Sequence, residues 1–146
     1  MKLLLVLCCL ISIVFAMDEE LAQQMKEAFM DNVRNCATEV NATPDDLAAL
    51  KQRTIPASHE GKCVIYCVHK IYKIQNDGGA IDADGGRQVL ETLKDIDTDF
   101  YNKMLTLFNK CVDVPNDADP CVTAANFADC AITQAKSVRL SFLNTF

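Results

Sequence analysis

The sequence predicts an all-α domain of about six helices, and three observations predict it. Apolar residues recur at helical spacing through most of the chain. Cap and breaker residues (Thr43-Pro44, Pro56 with Ser58, Asp82, Asp97 and Asp119-Pro120) cut that pattern into helix-length segments. Six cysteines, Cys36, Cys63, Cys67, Cys111, Cys121 and Cys130, run across those segments as C-x26-C-x3-C-x43-C-x9-C-x8-C. An even number of cysteines in a short secreted chain implies a disulfide framework.

Secretion is read from the N-terminus. Lys2 supplies a positive start, Leu3 to Phe15 is apolar apart from Ser12, and Val14 and Ala16 are small enough for a cleavage site. The run is too short to span a bilayer. Residues 1–16 are therefore expected to be a signal peptide, and residues 17–146 the helical domain. Cleavage after Ala16 removes Cys8 and Cys9 and leaves 130 residues, enough to bury a core. Loss of Lys2 leaves 13 Lys and Arg against 20 Asp and Glu. That balance, with no basic cluster, disfavours nucleic acid and anionic membrane surfaces.

The elements follow in order. Leu21, Met25, Ala28, Phe29, Val33, Cys36 and Val40 mark a first amphipathic helix, with Asp18, Glu19 and Glu20 favourably placed at its start. Thr43 caps a short second helix, Pro44 to about Gln52. Ser58 caps a third, about His59 to Gln75. On a helical wheel Cys63, Ile74, Cys67, Ile71, Val64, Val68, Tyr72 and Ile65 sweep about 200° of this third helix, with His69, Lys73, Tyr66 and Lys70 on the remainder. A helix so broadly apolar is central. Asn76 to Gly79 is a turn. Asp82 caps a fourth helix whose first turns Gly85 and Gly86 weaken. Asp97 caps a fifth with Phe100, Met104, Leu107, Phe108 and Cys111, and Asp119-Pro120 starts a sixth to about Lys136. From Val138 to Phe146 the apolar residues alternate, so the tail reads as extended with one apolar face.

Six cysteines allow fifteen connectivities, and helical geometry thins them without choosing one. Cys63 and Cys67 share a face about 6 Å apart along the axis, poorly placed to bridge each other. Cys121 and Cys130 stand about 180° apart around one helix. The third helix is thus tethered to two neighbours and the sixth is stapled on opposite sides.

The ladder resembles the six-cysteine signature of insect odorant-binding proteins, the carriers of pheromones and general odorants. The x3 and x8 gaps are its most characteristic part, and the likeness covers nearly all of residues 17–146. It implies an interlaced pairing, Cys36–Cys67, Cys63–Cys121 and Cys111–Cys130. It also implies an internal apolar cavity, with the C-terminal tail as its wall or lid. By position relative to the cysteines, it suggests that Phe29, Ile65, Val68, Ile74, Leu90, Leu93, Met104, Leu105, Phe108, Phe127 and Ala131 approach ligand, with Phe142 and Phe146 from the tail. His59 and His69 are the only side chains that ordinarily titrate near neutral pH. His69, at the edge of the apolar arc, matches a position where some relatives place a polar pocket residue. It is expected to hydrogen-bond the ligand or to contribute to pH-sensitive release.

Other chemistry finds little footing. Cys67-x-His69 is the nearest approach to a secreted phospholipase site, and it lacks the adjacent cysteine pair and Gly-rich calcium loop. The acidic stretch Asp77 to Asp84 fails the EF-hand ligand spacing. Two histidines, with cysteines destined for disulfides, leave no zinc ligand set. No metal, cofactor or enzymatic activity is expected. Asn41-Ala42-Thr43 is a formal glycosylation sequon, but Thr43 is needed as a cap and Pro44 follows at once.

The reading is a secreted carrier that binds and solubilises small hydrophobic, volatile ligands in extracellular fluid, sensillum lymph or another secretion. The resemblance implies delivery to a membrane odorant receptor. No nucleic acid and no stable membrane insertion are expected, and the chain works as a monomer or weak homodimer. The alternative is a secreted helical interaction or effector protein with no ligand cavity, which would need an exposed apolar patch instead.

Overall fold

A computed structural model describes the backbone of residues 2–138 and the side chains of residues 19–137. Among the described residues six helices follow in order: α1 (Lys2–Glu39), α2 (Pro44–Lys51), α3 (His59–Ile71), α4 (Ala83–Glu91), α5 (Thr98–Cys111) and α6 (Pro120–Val138). The chain divides into two compact units, residues 1–34 and residues 35–146. The first is the greater part of α1. No helix break separates the apolar leader from the amphipathic segment, because neither Gly nor Pro lies between Lys2 and Glu39. Asp18, Glu19 and Glu20 accordingly lie within a helix rather than at its start. No helix among the described residues is long and apolar enough to cross a membrane.

The second unit holds the end of α1 and all the other helices. Its caps are the expected ones. Thr43 accepts from the Asp46 amide at 3.2 Å, and Asp46 returns the bond by accepting from the Thr43 amide at 2.9 Å. Ser58 accepts from the Gly61 amide at 2.8 Å, Asp82 from the Gly85 amide at 2.8 Å and Asp97 from the Phe100 amide at 2.9 Å. Asp46 does more than box its own helix. Its Oδ1 accepts the Ser58 hydroxyl at 2.6 Å, so one buried carboxylate joins the N-termini of α2 and α3. The Ser58 and Thr43 bonds hold the Asp46 carboxyl below the usual carboxylate range.

The C-termini of α1, α2 and α3 share one stop, at Asn41, Arg53 and Lys73. These take φ of 57°, 56° and 53°, the left-handed region. In each case the following amide reaches back to the third-last helical carbonyl: Ala42 to Ala37 O at 2.9 Å, Thr54 to Ala49 O at 2.9 Å and Ile74 to His69 O at 2.8 Å. This stop ends α3 at Ile71, four residues before the expected Gln75. No glycine announces it, so the sequence carries no sign of it.

After α3 the chain makes a small hairpin. Gln75 and Ile81 form an isolated antiparallel bridge, and the Asp82 amide bonds Ile74 O at 2.8 Å. Gly79 turns it with φ of +87°, and a Cβ there would stand 2.5 Å from Pro120 Cβ. Gly86 also has a packing reason: a Cβ there would meet the Phe108 ring, 2.6 Å from Cε2. It lets α5 approach α4 closely, where the sequence suggested only a weak helix start.

Among the described residues three disulfides staple the helices, Cys36–Cys67, Cys63–Cys121 and Cys111–Cys130, with Cα separations of 5.7, 4.6 and 5.8 Å. They tie α1 to α3, α3 to α6 and α5 to α6. The loops they close overlap, as the resemblance implied. The third helix packs most extensively on α6, and α6 in turn on α5. Its buried face is Gly61, Val64, Ile65, Cys67, Val68 and His69. The helical wheel is corrected here. Ile71, placed within the apolar arc, is 48% exposed, and His69, placed outside it, is 7% exposed. The 3.6 period stacks His69 over Ile65, and the packing on α6 takes that pair inward. Val138 closes α6 as its last helical residue. The rest of the expected tail, residues 139–146 with Phe142 and Phe146, lies outside the described residues.

Candidate functional site

Five of the candidate pocket residues converge on one apolar cluster. Its buried centre is Phe108 and Cys111 of α5 with Phe127 of α6. Ile74 from the hairpin, Leu90 from α4 and Ala131 from α6 pack against it, as do Ile81, Val112, Val114 and Cys130. The Phe108 and Phe127 rings are 5.7 Å apart and inclined at 56°. A disulfide, Cys111–Cys130, forms one edge of the cluster, and Gly86 brings the α4 backbone onto the Phe108 ring.

His69 joins the cluster to a polar network. Its ring meets the Phe127 ring edge-on, with centroids 5.3 Å apart at 84°. Its Nδ1 lies 2.8 Å from Gln75 Oε1. Gln75 is only 2% exposed, and its Nε2 donates to Gly79 O at 2.7 Å and Pro120 O at 3.2 Å. Burial pushes the His69 pKa down to about 4, only partly opposed by the Gln75 hydrogen bond. His69 is thus neither a solvated histidine nor a group that titrates near neutral pH.

The remaining candidates are placed as follows. Ile65 and Val68 are buried on α3. Leu93, Met104 and Leu105 are partly buried and are not among the residues packed on the Phe108–Phe127 cluster. Phe29 belongs to the first unit and is 39% exposed. A separate concavity of about 430 Å³ runs along one face of α1, lined by Gln23, Lys26, Glu27, Met30, Asp31 and Arg34. It is largely polar and includes none of the candidates.

His59, Cys63 and Cys121 bring their donor atoms within 4.8 Å of one another, a metal-like spacing. The two sulfurs are bonded to each other, so neither is a thiolate ligand. His59 Nε2 instead contacts Asp119 Oδ2 at 2.9 Å beside the start of α6.

The sequence matches the PBP/GOBP family over residues 18–134. The chain belongs to that family. Two relatives from Drosophila melanogaster are similar to it. General odorant-binding protein 19d is 25% identical over 101 residues, covering 69% of this chain and 67% of the relative. General odorant-binding protein 28a is 26% identical over 107 residues, 73% and 75% of the two chains. The solved structure of odorant-binding protein dmelOBP28a from the same organism superposes with a TM-score of 0.65 at 23% identity, over 80% of this chain and 96% of that one. At that identity the likeness is one of fold. In this PBP/GOBP member, Gln75 is the residue that sequence reasoning missed. The sequence gives it only as the expected end of the third helix, whereas the structure buries it in the hairpin, bonded to Gly79 O and to Pro120 O at the start of α6.

Proposed function

We propose that the chain is a carrier of small hydrophobic molecules, secreted after loss of residues 1–16, that solubilises its ligands in extracellular fluid and hands them to a membrane receptor. Family and fold support a small-ligand carrier, and the family match across residues 18–134 is the observation that carries the reading. The relatives' names attach odorants to them. The start of the matched region, just after the apolar leader, supports cleavage near Ala16.

The proposed ligand wall is the apolar surface of Ile65, Val68, Ile74, Leu90, Leu93, Met104, Leu105, Phe108, Phe127 and Ala131, with His69 as its polar point. Apolar walls with few, well-placed polar groups suit small ligands, since burial supplies affinity and the polar group supplies orientation. Disulfides help a helical frame keep space between its helices, because unfilled volume costs packing energy that covalent ties offset.

The test is uptake of an apolar fluorescent probe by the disulfide-intact protein. Saturation near one equivalent, reversed by volatile alcohols, esters or aldehydes, is expected. No uptake would contradict the carrier and favour the interaction-protein alternative.

A further inference from the structure

The Cys63–Cys121 disulfide differs from the other two in what stands beside it. His59, one turn before Cys63 on α3, has both ring nitrogens 3.7 Å from Cys63 Sγ. Its Nε2 lies 2.9 Å from Asp119 Oδ2, in the turn before α6. An ionised carboxylate only accepts, so in the neutral ring Nε2 carries the hydrogen and Nδ1 keeps a bare lone pair beside the sulfur. The His59 side chain is 62% exposed, which opens this pair to solutes. Cys63 is partly buried and Cys121 buried, so an approaching solute meets Cys63 first. Cys121 is the second residue of α6, where the helix dipole favours a thiolate. A His59 ring nitrogen lies within 4.8 Å of Cys121 Sγ as well, so one imidazole reaches both sulfurs.

The other bridges lack this arrangement. Cys36 and Cys67 are both buried, and the polar group at Cys67 Sγ is the Glu39 carboxylate, 3.8 Å away, which repels a thiolate. Cys111 is fully buried, and Cys130 Sγ lies beside the Lys110 carbonyl at 3.9 Å. The other histidine, His69, is held between Gln75 and Phe127.

We propose that Cys63–Cys121 is a thiol-exchange site, where a small neutral thiol attacks Cys63 with His59 as its base. This goes beyond the carrier reading and does not depend on it. The S–H proton of the thiol passes to His59 Nδ1, and its sulfur bonds to Cys63 Sγ. The Cys63–Cys121 bond breaks, and its electron pair leaves on Cys121, which then takes the proton back from the imidazolium. One thiol and one disulfide become one mixed disulfide and one thiol, with no oxidant consumed. Asp119 is the positioning residue: it holds the ring and balances the imidazolium charge. Gln75 still holds Pro120 O at 3.2 Å, so the bond can open without releasing the start of α6.

The experiment adds dithiothreitol, a small neutral dithiol, to the disulfide-intact protein. Aliquots are quenched in acid, and the free thiols are alkylated and located by peptide mass mapping. At the earliest times Cys63 and Cys121 should carry the label, with the other four cysteines still paired. His59→Gln should slow that first opening about tenfold or more, and leave the other two bonds at their wild-type rates. With 2-mercaptoethanol, the adduct should be found on Cys63. A further readout needs no variant. Attack by free thiolate alone climbs about tenfold per pH unit below the thiol pKa, whereas a rate in which an imidazole takes the proton flattens above the imidazole range. The wild-type rate should therefore flatten between about pH 7 and about pH 8. The other charged groups here, Asp119 with Asp117 behind it and Glu60 near Cys63 on α3, are carboxylates, a class that titrates well below this range. First opening of Cys36–Cys67 or Cys111–Cys130, an adduct on Cys121, an unchanged rate in His59→Gln, or a wild-type rate that keeps climbing tenfold per unit would each overturn the proposal.

Discussion

His69 couples stability to pH in a direction fixed by its burial. Its pKa is about 4 in the folded chain against an ordinary 6.5. As pH falls below 6.5 the unfolded chain takes up a proton that the folded chain refuses. The stabilising share of neutral His69 is therefore complete above about 6.5, declines between there and 4, and changes little below. The difference between the folded and the ordinary pKa corresponds to about 3 kcal/mol. Urea unfolding at pH 7, 5.5 and 4.2 should show wild type losing that stability relative to His69→Gln. A constant difference between the two across the series would sink this account. Asp46 acts lower on the scale and with a related sign. Its depressed carboxyl contributes above the ordinary carboxylate pKa, and the contribution is lost as pH falls through its folded value. Asp46→Ala should lower the melting temperature at pH 7 and speed amide exchange at Thr43, because both the box and the Ser58 bridge go. These two residues show the limit of reading side chains from a string. Thr43 and Ser58 were legible as caps because cap chemistry is local. The link between them through Asp46, and the burial of His69 and Gln75, depend on elements that meet only in the fold.

At the scale of the helix, starts were more legible than stops. Every expected N-cap that carries a side-chain bond here is an Asp, Ser or Thr placed by short-range chemistry. The stops use Asn41, Arg53 and Lys73 in a conformation that glycine adopts more cheaply, so the sequence gives no warning of them. Lys73→Gly should raise stability by about 0.5–1 kcal/mol, after allowing for the extra freedom glycine has when unfolded. A urea midpoint below wild type would show that the left-handed turn at Lys73 carries no strain. Gly86 runs the other way. Gly86→Ala adds helix propensity yet drives a methyl into the Phe108 ring, and it should cost about 1–3 kcal/mol. A neutral or stabilising outcome in the same urea experiment would mean that α4 and α5 part easily. Propensity makes the glycine pair a weak helix start because it is a property of one segment, whereas the contact of Gly86 with Phe108 belongs to two.

For the whole molecule, the cysteine spacing carried the fold further than any other feature. The x3 gap sets two sulfurs on one helix four residues apart, and the structure sends them to α1 and α6. The pairing itself came from the resemblance, since wheel geometry leaves several connectivities open. The three bridges close loops of 31, 58 and 19 residues. Chain entropy then ranks them, at about 4 kcal/mol for Cys63–Cys121 and about 3 kcal/mol for Cys111–Cys130. Paired alanine replacement should destabilise in that order, and calorimetry showing the reverse order would contradict the ranking. The apolar cluster was legible in part. Ile74, Leu90, Phe108, Phe127 and Ala131 are candidates by position relative to the cysteines; Cys111–Cys130 joins α5 to α6, and Ile74 and Leu90 pack on the cluster formed there. Leu93, Met104 and Leu105 share the same sequence logic but not that cluster, since residue type and spacing do not fix the rotation of a helix about its axis. The central claim is that this cluster, with His69 at its edge, receives the ligand. The most direct measurement is a methyl and aromatic NMR titration of the disulfide-intact protein with 1-decanol. Saturable shifts near one equivalent at Ile74, Leu90, Phe108, Phe127, Ala131 and the His69 ring are predicted. Shifts confined to Met30 and the charged face of α1, or no saturable shifts at all, would contradict it.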